Sequence, residues 1–234
     1  MRQSTKPYCL ALAVTLAGLG AGLAGADDVA LTREAQAAIT PAKALELLQK
    51  GNERFVGGKS VDHDLLAQVK QTSQGQFPFA AIVSCLDSRI PPALVFDQGI
   101  GDLFVARVAG NFVNDDILGS LEFATKLGGA KLIVVMGHTE CGAVQGACDG
   151  AELGLLTGTL ANITPAVEAV KGDYEPRSSK NAEFVQAVAE MNVKLTKQKL
   201  RERSAVLREM IDKKEIGLVG AMYDVSSGKV TFSD

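Results

Sequence analysis

The 234-residue sequence has few cysteines and no excess of positive charge, and each shortage excludes a class of protein. It contains four cysteines, and 24 lysines and arginines stand against 27 aspartates and glutamates, a formal net charge of −3. A mildly acidic chain argues against nucleic acid as a partner, because domains that bind nucleic acid carry a basic patch. The sequence also has no internal repeat and no low-complexity linker, so one globular domain is expected at this length.

The first 26 residues have the pattern of a secretory signal peptide. Arg2 and Lys6 precede an apolar run from Tyr8 to Leu23, and an A-x-A sequence that ends at Ala26 follows the run. The run is shorter than the ~20 apolar residues of a membrane-spanning helix, although an uncleaved anchor is the alternative. We therefore expect an exported protein, with the bacterial periplasm as its compartment and no membrane span after cleavage.

Cysteine usage points to metal binding rather than to disulfides. Cleavage removes Cys9 and leaves Cys85, Cys141 and Cys148. Export normally favours disulfides, but three thiols cannot form a fully paired framework. Metal ligation explains two of them better.

The chain after the signal divides into a short lead-in and a folded domain. Residues 27–39 are polar and rich in alanine, and we expect them to be loosely ordered. The domain is expected over residues 40–234. It opens with a helix, because Thr40 is a suitable N-cap and Pro41 suits the first helical position.

Strands and helices alternate in the predicted domain. Three short apolar segments, 79–84, 103–108 and 131–136, are typical of buried strands of a parallel sheet. A helical period over 116–127 separates the second strand from the third, and a last buried strand is predicted over 217–223. This alternation predicts an α/β fold, with a mostly parallel β-sheet flanked by helices.

Two short clusters contain the residues with the most distinctive chemistry. Cys85 begins the sequence C-L-D-S-R, and His138 and Cys141 bound the sequence H-T-E-C. Cys85 and His138 each follow a predicted strand, at the edge where parallel sheets place their ligands. Two thiolates and one imidazole suit zinc, and three protein ligands leave the fourth corner of a tetrahedral site open for water. The clusters therefore predict a catalytic zinc site.

Cys148 offers an alternative, because a fourth protein ligand would make the site closed and structural. Geometry counts against it. The segment from Cys141 to Cys148 is predicted to be helical, and seven helical residues rise about 10 Å, whereas both sulfurs would need to lie about 2.3 Å from one ion. A packed free thiol is the preferred interpretation of Cys148.

The two clusters together resemble the signature of the β-class carbonic anhydrases, C-x-D-x-R followed by H-x-x-C. The similarity runs from about Pro41 to Phe232 and includes the stretches 96–111 and 133–146. The resemblance implies a zinc lyase that interconverts carbon dioxide and bicarbonate through zinc-bound hydroxide. It also implies one zinc ion per chain and a homo-oligomer, either a dimer or a tetramer.

The resemblance also assigns roles to side chains around the metal. It implies that Asp87 accepts the proton of the bound hydroxide and orients its lone pair, and that Arg89 fixes Asp87. It implies an apolar pocket for carbon dioxide at a subunit interface. The residues at matching positions are Gln76, Phe104, Val108, Ala109 and Phe123, of which Gln76 would be donated across the interface and Phe123 replaces a frequent tyrosine.

Two alternative functions and one further residue stay open at this stage. Related scaffolds with the same metal motifs hydrolyse carbon disulfide or carbonyl sulfide. A non-catalytic, zinc-stabilised binding scaffold would require Cys148 or Asp87 to be permanently on the metal. His63 lies in a polar stretch and is expected at the surface, with a proton-shuttle role as the alternative.

Overall fold

A five-stranded sheet forms the centre of the protein in the computed structural model, which describes residues 29–233. The strand order is β2-β1-β3-β4-β5, in which the first four strands are parallel and β5 is antiparallel to β4. The strands are β1 (Ala80–Ser84), β2 (Leu103–Arg107), β3 (Leu132–His138), β4 (Gly217–Tyr223) and β5 (Val230–Ser233). The predicted α/β fold with a mostly parallel sheet is confirmed.

Helices cover both faces of this sheet. Thr40 accepts a hydrogen bond from the Lys43 N–H at 3.2 Å, so α2 begins where the sequence predicted. Over the described residues the helices are α1 (Arg33–Ala38), α2 (Pro41–Val56), α3 (Leu65–Thr72), α4 (Pro92–Val95), α5 (Asp115–Glu122), a π-helix (Phe123–Leu127), α6 (Gly142–Cys148), α7 (Gly154–Leu160), α8 (Thr164–Ala169), α9 (Ala182–Arg203) and α10 (Ala205–Asp212).

The central strands β1 and β3 are buried along their whole length. Successive side chains of a strand point to opposite faces, so Ile82 and Val83 enter different hydrophobic clusters on the two sides of the sheet. Val134 and Val135 of β3 divide in the same way. Burial on both faces explains why these strands are continuous apolar runs in the sequence.

The edge strand β2 differs from the prediction of a buried strand. Val105 is 43% exposed, and Ala106 is only partly buried. β2 pairs with β1 on one side, and its other side is the edge of the sheet formed by the described residues. The apolar run at 103–108 therefore predicted a strand correctly. Its predicted burial is wrong for a single chain, because one side of β2 is the edge of the sheet.

The lead-in is more ordered than expected, because residues 33–38 form α1. The Thr32 side chain caps this helix by accepting from the Ala35 N–H at 3.2 Å. Gln36 is buried and donates from Nε2 to the carbonyl oxygens of Pro78 at 2.8 Å and Gly128 at 2.7 Å. These contacts tie the lead-in to the domain, and they could not be inferred from a polar composition.

The predicted signal segment, residues 1–26, lies outside the described residues, and its cleavage stays a prediction. Within residues 29–233, no helix combines the length and the apolar character that crossing a bilayer requires.

The close approach of α2 to α4 makes Gly51 a test of the packing. A Cβ atom on Gly51 would lie 1.8 Å from the Phe96 carbonyl oxygen. We expect Gly51→Ala to lower the free energy of unfolding by about 1–3 kcal/mol, because backbone must move to make room. The measurement is denaturant unfolding followed by circular dichroism. Gly158→Ala is the matched control in α7, where an added Cβ meets nothing within 4 Å, and equal stability of the two variants would contradict this packing.

Candidate metal centre

The two predicted motifs meet at the carboxyl ends of β1 and β3. Cys85 directly follows β1, and His138 is the last residue of β3. The strands are paired in parallel, with Ser84 opposite Met136, so both ends lie at the same edge of the sheet. Glu140, with a φ of 53°, turns the chain so that Cys141 becomes the N-cap of α6. The fold therefore brings together three residues that are separated in sequence.

The three side chains form a compact, buried set. The two Sγ atoms and a ring nitrogen of His138 all lie within 4.8 Å of one another. The Sγ atoms of Cys85 and Cys141 are 4.0 Å apart, far beyond the ~2.05 Å of a disulfide bond. Two sulfurs bound to one tetrahedral zinc at ~2.3 Å would be separated by roughly 3.8 Å. The predicted ligands are thus spaced as zinc ligands are.

The imidazole of His138 is oriented for metal binding. Its Nδ1 lies 2.8 Å from the Thr139 carbonyl oxygen, which can only accept, so Nδ1 carries the proton. Nε2 therefore presents a lone pair, and this buried atom has no hydrogen-bond partner. A buried polar atom without a partner is rare and costly, and a metal ion beside the two sulfurs would satisfy it. The set fits a metal ion on this observation.

The electrostatics of the set favour a thiolate at Cys85. A hydrogen bond from Cys141 lowers the pKa of Cys85 well below that of a free thiol, against the effect of burial, and the Gly110 N–H, which donates to Cys85 Sγ at 3.3 Å, lowers it further. The same bond to Cys85 and burial raise the pKa of Cys141. One ligand is therefore prepared for a cation, because metals bind the thiolate.

Cys148 does not belong to this set. It is the last residue of α6, while Cys141 caps the other end of that helix. Its side chain is partly buried, and burial raises its pKa to about 11. It is not among the three residues whose ligand atoms lie close together, as expected for a packed free thiol.

Asp87 and Arg89 form a tight pair beside the ligands. Arg89 donates from Nε to Asp87 Oδ1 at 3.0 Å and from Nη2 to Oδ2 at 2.8 Å, and its backbone N–H also donates to Oδ1 at 2.9 Å. This bidentate contact with Arg89 holds the pKa of Asp87 at about 2, so the carboxylate is ionised. Asp87 Oδ2 lies 4.0 Å from Nε2 of His138. The carboxylate is therefore next to the metal ligands while it is bound to the guanidinium.

Three residues that sequence reasoning missed support this site. Arg107 donates to the carbonyl oxygens of Cys85 and Asp87, and the Gly110 N–H donates to Cys85 Sγ. Buried Asn192 of α9 donates to the Gly110 carbonyl oxygen at 2.7 Å across 82 positions of sequence. The strand end at Arg107 could have signalled a residue near the motif, but the Asn192 contact has no local signal.

The predicted pocket residues are only partly brought together. Phe104 and Phe123 pack edge to face, 6.2 Å between ring centroids, and line a groove of about 560 Å³ along β2 and α5. Val108 and Ala109 are half-buried in the segment after β2, and Gln76 is exposed on the loop before β1. These three do not line the groove.

His63 is less exposed than the sequence suggested. Its side chain is 16% exposed, and its Nε2 lies 3.8 Å from Oδ1 of the buried Asp97. Asp97 accepts hydrogen bonds from Arg54 Nε and the Val61 N–H. The contact with Val61 holds the segment before α3 against the buried Asp97. His63 belongs to this cluster and not to the set of metal ligands.

Comparisons with known proteins agree with the chemistry of the site. A family model described as carbonic anhydrase matches residues 80–230. The chain is 35% identical to carbonic anhydrase 2 of Mycobacterium tuberculosis over 205 residues, which cover 83% of this chain and 93% of the relative. It is 32% identical to a carbonic anhydrase of Mycolicibacterium smegmatis over 81% of this chain and 92% of that one. A solved β-carbonic anhydrase of Aspergillus fumigatus superposes with a TM-score of 0.63 at 26% identity, covering 82% of this chain and 88% of that chain.

Substitution of single ligands tests the composition of the set. We expect Cys85→Ser and His138→Ala to lose bound zinc, because each removes one of three protein ligands. Cys148→Ser is the matched control and should keep one zinc per chain. Elemental analysis of the three purified variants provides the measurement, and loss of zinc from Cys148→Ser would favour the closed structural site.

Proposed function

This chain belongs to the β class of the carbonic anhydrase family, lyases that hydrate carbon dioxide, and from that premise we propose how its own side chains act. The proposed reaction is the reversible hydration of carbon dioxide to bicarbonate and a proton. The observation that carries the proposal is the buried set of two thiols and one imidazole beside an ionised carboxylate. We further propose export of the protein, which rests on the pattern of residues 1–26 alone.

Zinc is the proposed cofactor, with one ion held by Cys85, His138 and Cys141. When bound, zinc lowers the pKa of a water molecule and so supplies a nucleophile near neutral pH. The donor set supports this choice, because thiolate and imidazole suit zinc and disfavour magnesium or calcium, which take oxygen ligands. The Nδ1–H of His138 donates to a backbone carbonyl oxygen, which fixes the ring and its tautomer.

Asp87 is proposed to orient the reacting nucleophile. An ionised carboxylate only accepts hydrogen bonds, so it holds the proton-bearing side of a hydroxyl group and leaves the lone pair directed at the carbon. The bidentate contact with Arg89 keeps the carboxylate charged and restricts its rotation. Arg89 Nη2 also donates to the Glu140 carbonyl oxygen at 3.1 Å, which ties this pair to the second motif.

This arrangement supports catalysis over a closed, non-catalytic zinc scaffold. Such a scaffold needs a fourth protein ligand, and neither candidate is among the three residues whose ligand atoms lie close together. Cys148 lies outside the set, and Asp87 is held by Arg89. Hydrolysis of carbon disulfide or carbonyl sulfide would use the same residues, so only a substrate assay separates it from carbon dioxide hydration.

The edge strand β2 supports a proposed homo-oligomer. Val105 on β2 is 43% exposed, Phe123 beside Phe104 of the same strand is 53% exposed, and Leu127 at the end of the π-helix that begins with Phe123 is 76% exposed. An edge strand with exposed apolar side chains is a template for association with another chain. We propose that a second copy of this chain covers it in a homodimer, which could pair again to form a tetramer. Transfer of Gln76 across that interface is part of the same proposal.

Stopped-flow hydration of carbon dioxide by zinc-quantified protein tests the reaction. We expect Asp87→Asn to keep its zinc and to lose at least about a hundredfold in kcat, since a neutral amide does not replace the ionised acceptor. Asp173→Asn, in an exposed loop after α8, is the matched control with unchanged rate. A fully zinc-loaded wild-type protein that hydrates no carbon dioxide but hydrolyses carbon disulfide or carbonyl sulfide would overturn the proposed substrate.

Light scattering on a gel-filtration column tests the association. We expect Val105→Asp to release lighter species than the wild type, because a buried unpaired charge at the interface is strongly unfavourable. Leu155→Asp is the matched control, an equally polar change at a side chain that is 94% exposed in α7. A Val105→Asp protein with the wild-type mass would show that this edge is not the interface.

A further inference from the structure

A single buried amide ties the lead-in helix α1 to two separate parts of the domain. Gln36 is 6% exposed, and its Nε2 donates to the Pro78 carbonyl oxygen at 2.8 Å and to the Gly128 carbonyl oxygen at 2.7 Å. Carbonyl oxygens only accept, so both protons of the amide nitrogen are used and the orientation of the amide is fixed. Gln36 therefore joins the chain before β1 to the chain after the π-helix.

The Gly128 end of this bridge supports a surface that we call the π-helix face, formed by Phe104, Phe123 and Leu127. Gly128 directly follows Leu127, which ends the π-helix and is 76% exposed. A Cβ atom on Gly128 would lie 2.8 Å from Cε2 and Cζ of Phe104, so the Gly128 backbone packs against that ring. Phe104 in turn packs edge to face with Phe123, the first residue of the π-helix. Gln36 thus holds the backbone on which the face is built.

The Pro78 end of the bridge ties the same face to the sheet. The next residue, Phe79, donates its N–H to the Asp102 carbonyl oxygen at 2.9 Å, and its carbonyl oxygen accepts from the Lys131 N–H at 2.8 Å. Asp102 directly precedes β2, and Lys131 directly precedes β3. Gln36 therefore fixes the end of the π-helix relative to the amino ends of three neighbouring strands.

The π-helix depends on a partner from outside itself at this end. The last carbonyl groups of a helix have no partner within the helix. The partly buried Gly128 carbonyl oxygen, one residue beyond the π-helix, receives its proton from Gln36 of α1. Loss of that donor leaves a polar group without its partner, which is unfavourable and is relieved when the segment moves toward solvent.

We propose that Gln36 is a positioning residue for association, which holds the π-helix face in the shape that a second copy of this chain fits. The face continues the exposed edge of β2, because Phe104 precedes Val105 in that strand. Ordering side chains during association costs free energy, so a face that is already ordered associates more tightly. Gln36 is buried within its own chain and acts through the Gly128 backbone. The role rests on the proposed homo-oligomer.

The dissociation constant of the associated protein, from analytical ultracentrifugation with fluorescence detection, tests the role. We expect Gln36→Met, which has a similar length and no donor, to raise this constant at least tenfold with an unchanged circular dichroism spectrum. Gln36→Glu keeps the shape but at neutral pH sets an ionised acceptor against two carbonyl oxygens, so it should raise the constant further. At pH 5 it should recover at least threefold relative to wild type at the same pH, because burial favours the protonated carboxyl group, which can donate.

Three further variants separate positioning from a general loss of stability. Val188→Ala removes buried methyl groups from the hydrophobic cluster on the other side of the sheet, so it should lower the free energy of unfolding and leave the dissociation constant unchanged. Gln198→Met makes the same exchange at an exposed glutamine of α9 and should behave as the wild type. Gln36→Asn keeps an amide that is one methylene shorter, and its expected rise of at least threefold makes the test independent of how Gln36→Met folds.

The outcomes distinguish the role from the association on which it rests. A wild-type dissociation constant in Gln36→Asn and Gln36→Met, or a weakening by Val188→Ala as large as that by Gln36→Met, would overturn the role alone. A wild-type chain that stays monomeric at every concentration would instead overturn the proposed homo-oligomer and the role with it.

Discussion

The parallel pairing of β1 with β3 is the constraint on which the site depends. It places Cys85 and His138 at the same edge of the sheet, and one turn after β3 brings Cys141 back beside them. Both strands are buried on both faces, so their register is fixed by side chains that could not be exchanged between faces without exposing the core. The positions of Cys85 and His138 are therefore set by the hydrophobic core and do not require a bound metal.

That pre-formed arrangement has a cost that the metal would offset. A buried Nε2 without a partner costs about 1–3 kcal/mol, and the two sulfurs lie 4.0 Å apart, where two thiolates would repel each other. The Gly110 N–H donates to Cys85 Sγ, and Asn192 donates to the Gly110 carbonyl oxygen. These two hydrogen bonds hold Cys85 in place without a metal. Such a site is strained in its electrostatics while its backbone is well supported, which is the arrangement that favours binding a cation with little rearrangement.

The sequence was sufficient to predict the site residues that directly follow a strand. It was insufficient to predict the residues that contact the site from other strands and helices. Cys85 and His138 could be predicted to converge because each ends an apolar run, and the fold class followed from the same runs. Arg107 was missed because its partners are backbone carbonyl groups, whose positions depend on the register of β1 and β2. The ordered structure of the lead-in was not predicted, because it depends on one buried side-chain amide, that of Gln36, and on its two hydrogen bonds to the domain. The exposure of Val105 was missed because an apolar run cannot distinguish a strand buried by its own chain from one at an edge.

The strand β2 connects two features that would otherwise be unrelated. Its outer side presents the exposed Val105, while its last residue, Arg107, holds the loop of Cys85 and Asp87. These residues are two apart in one strand, so their side chains point to the same face of the sheet. Association at this edge would restrict β2 along its length and with it the anchor of the loop. With the proposed metal centre and the proposed interface, the loop of Cys85 and Asp87 and the association of two copies would share one structural element, the strand β2.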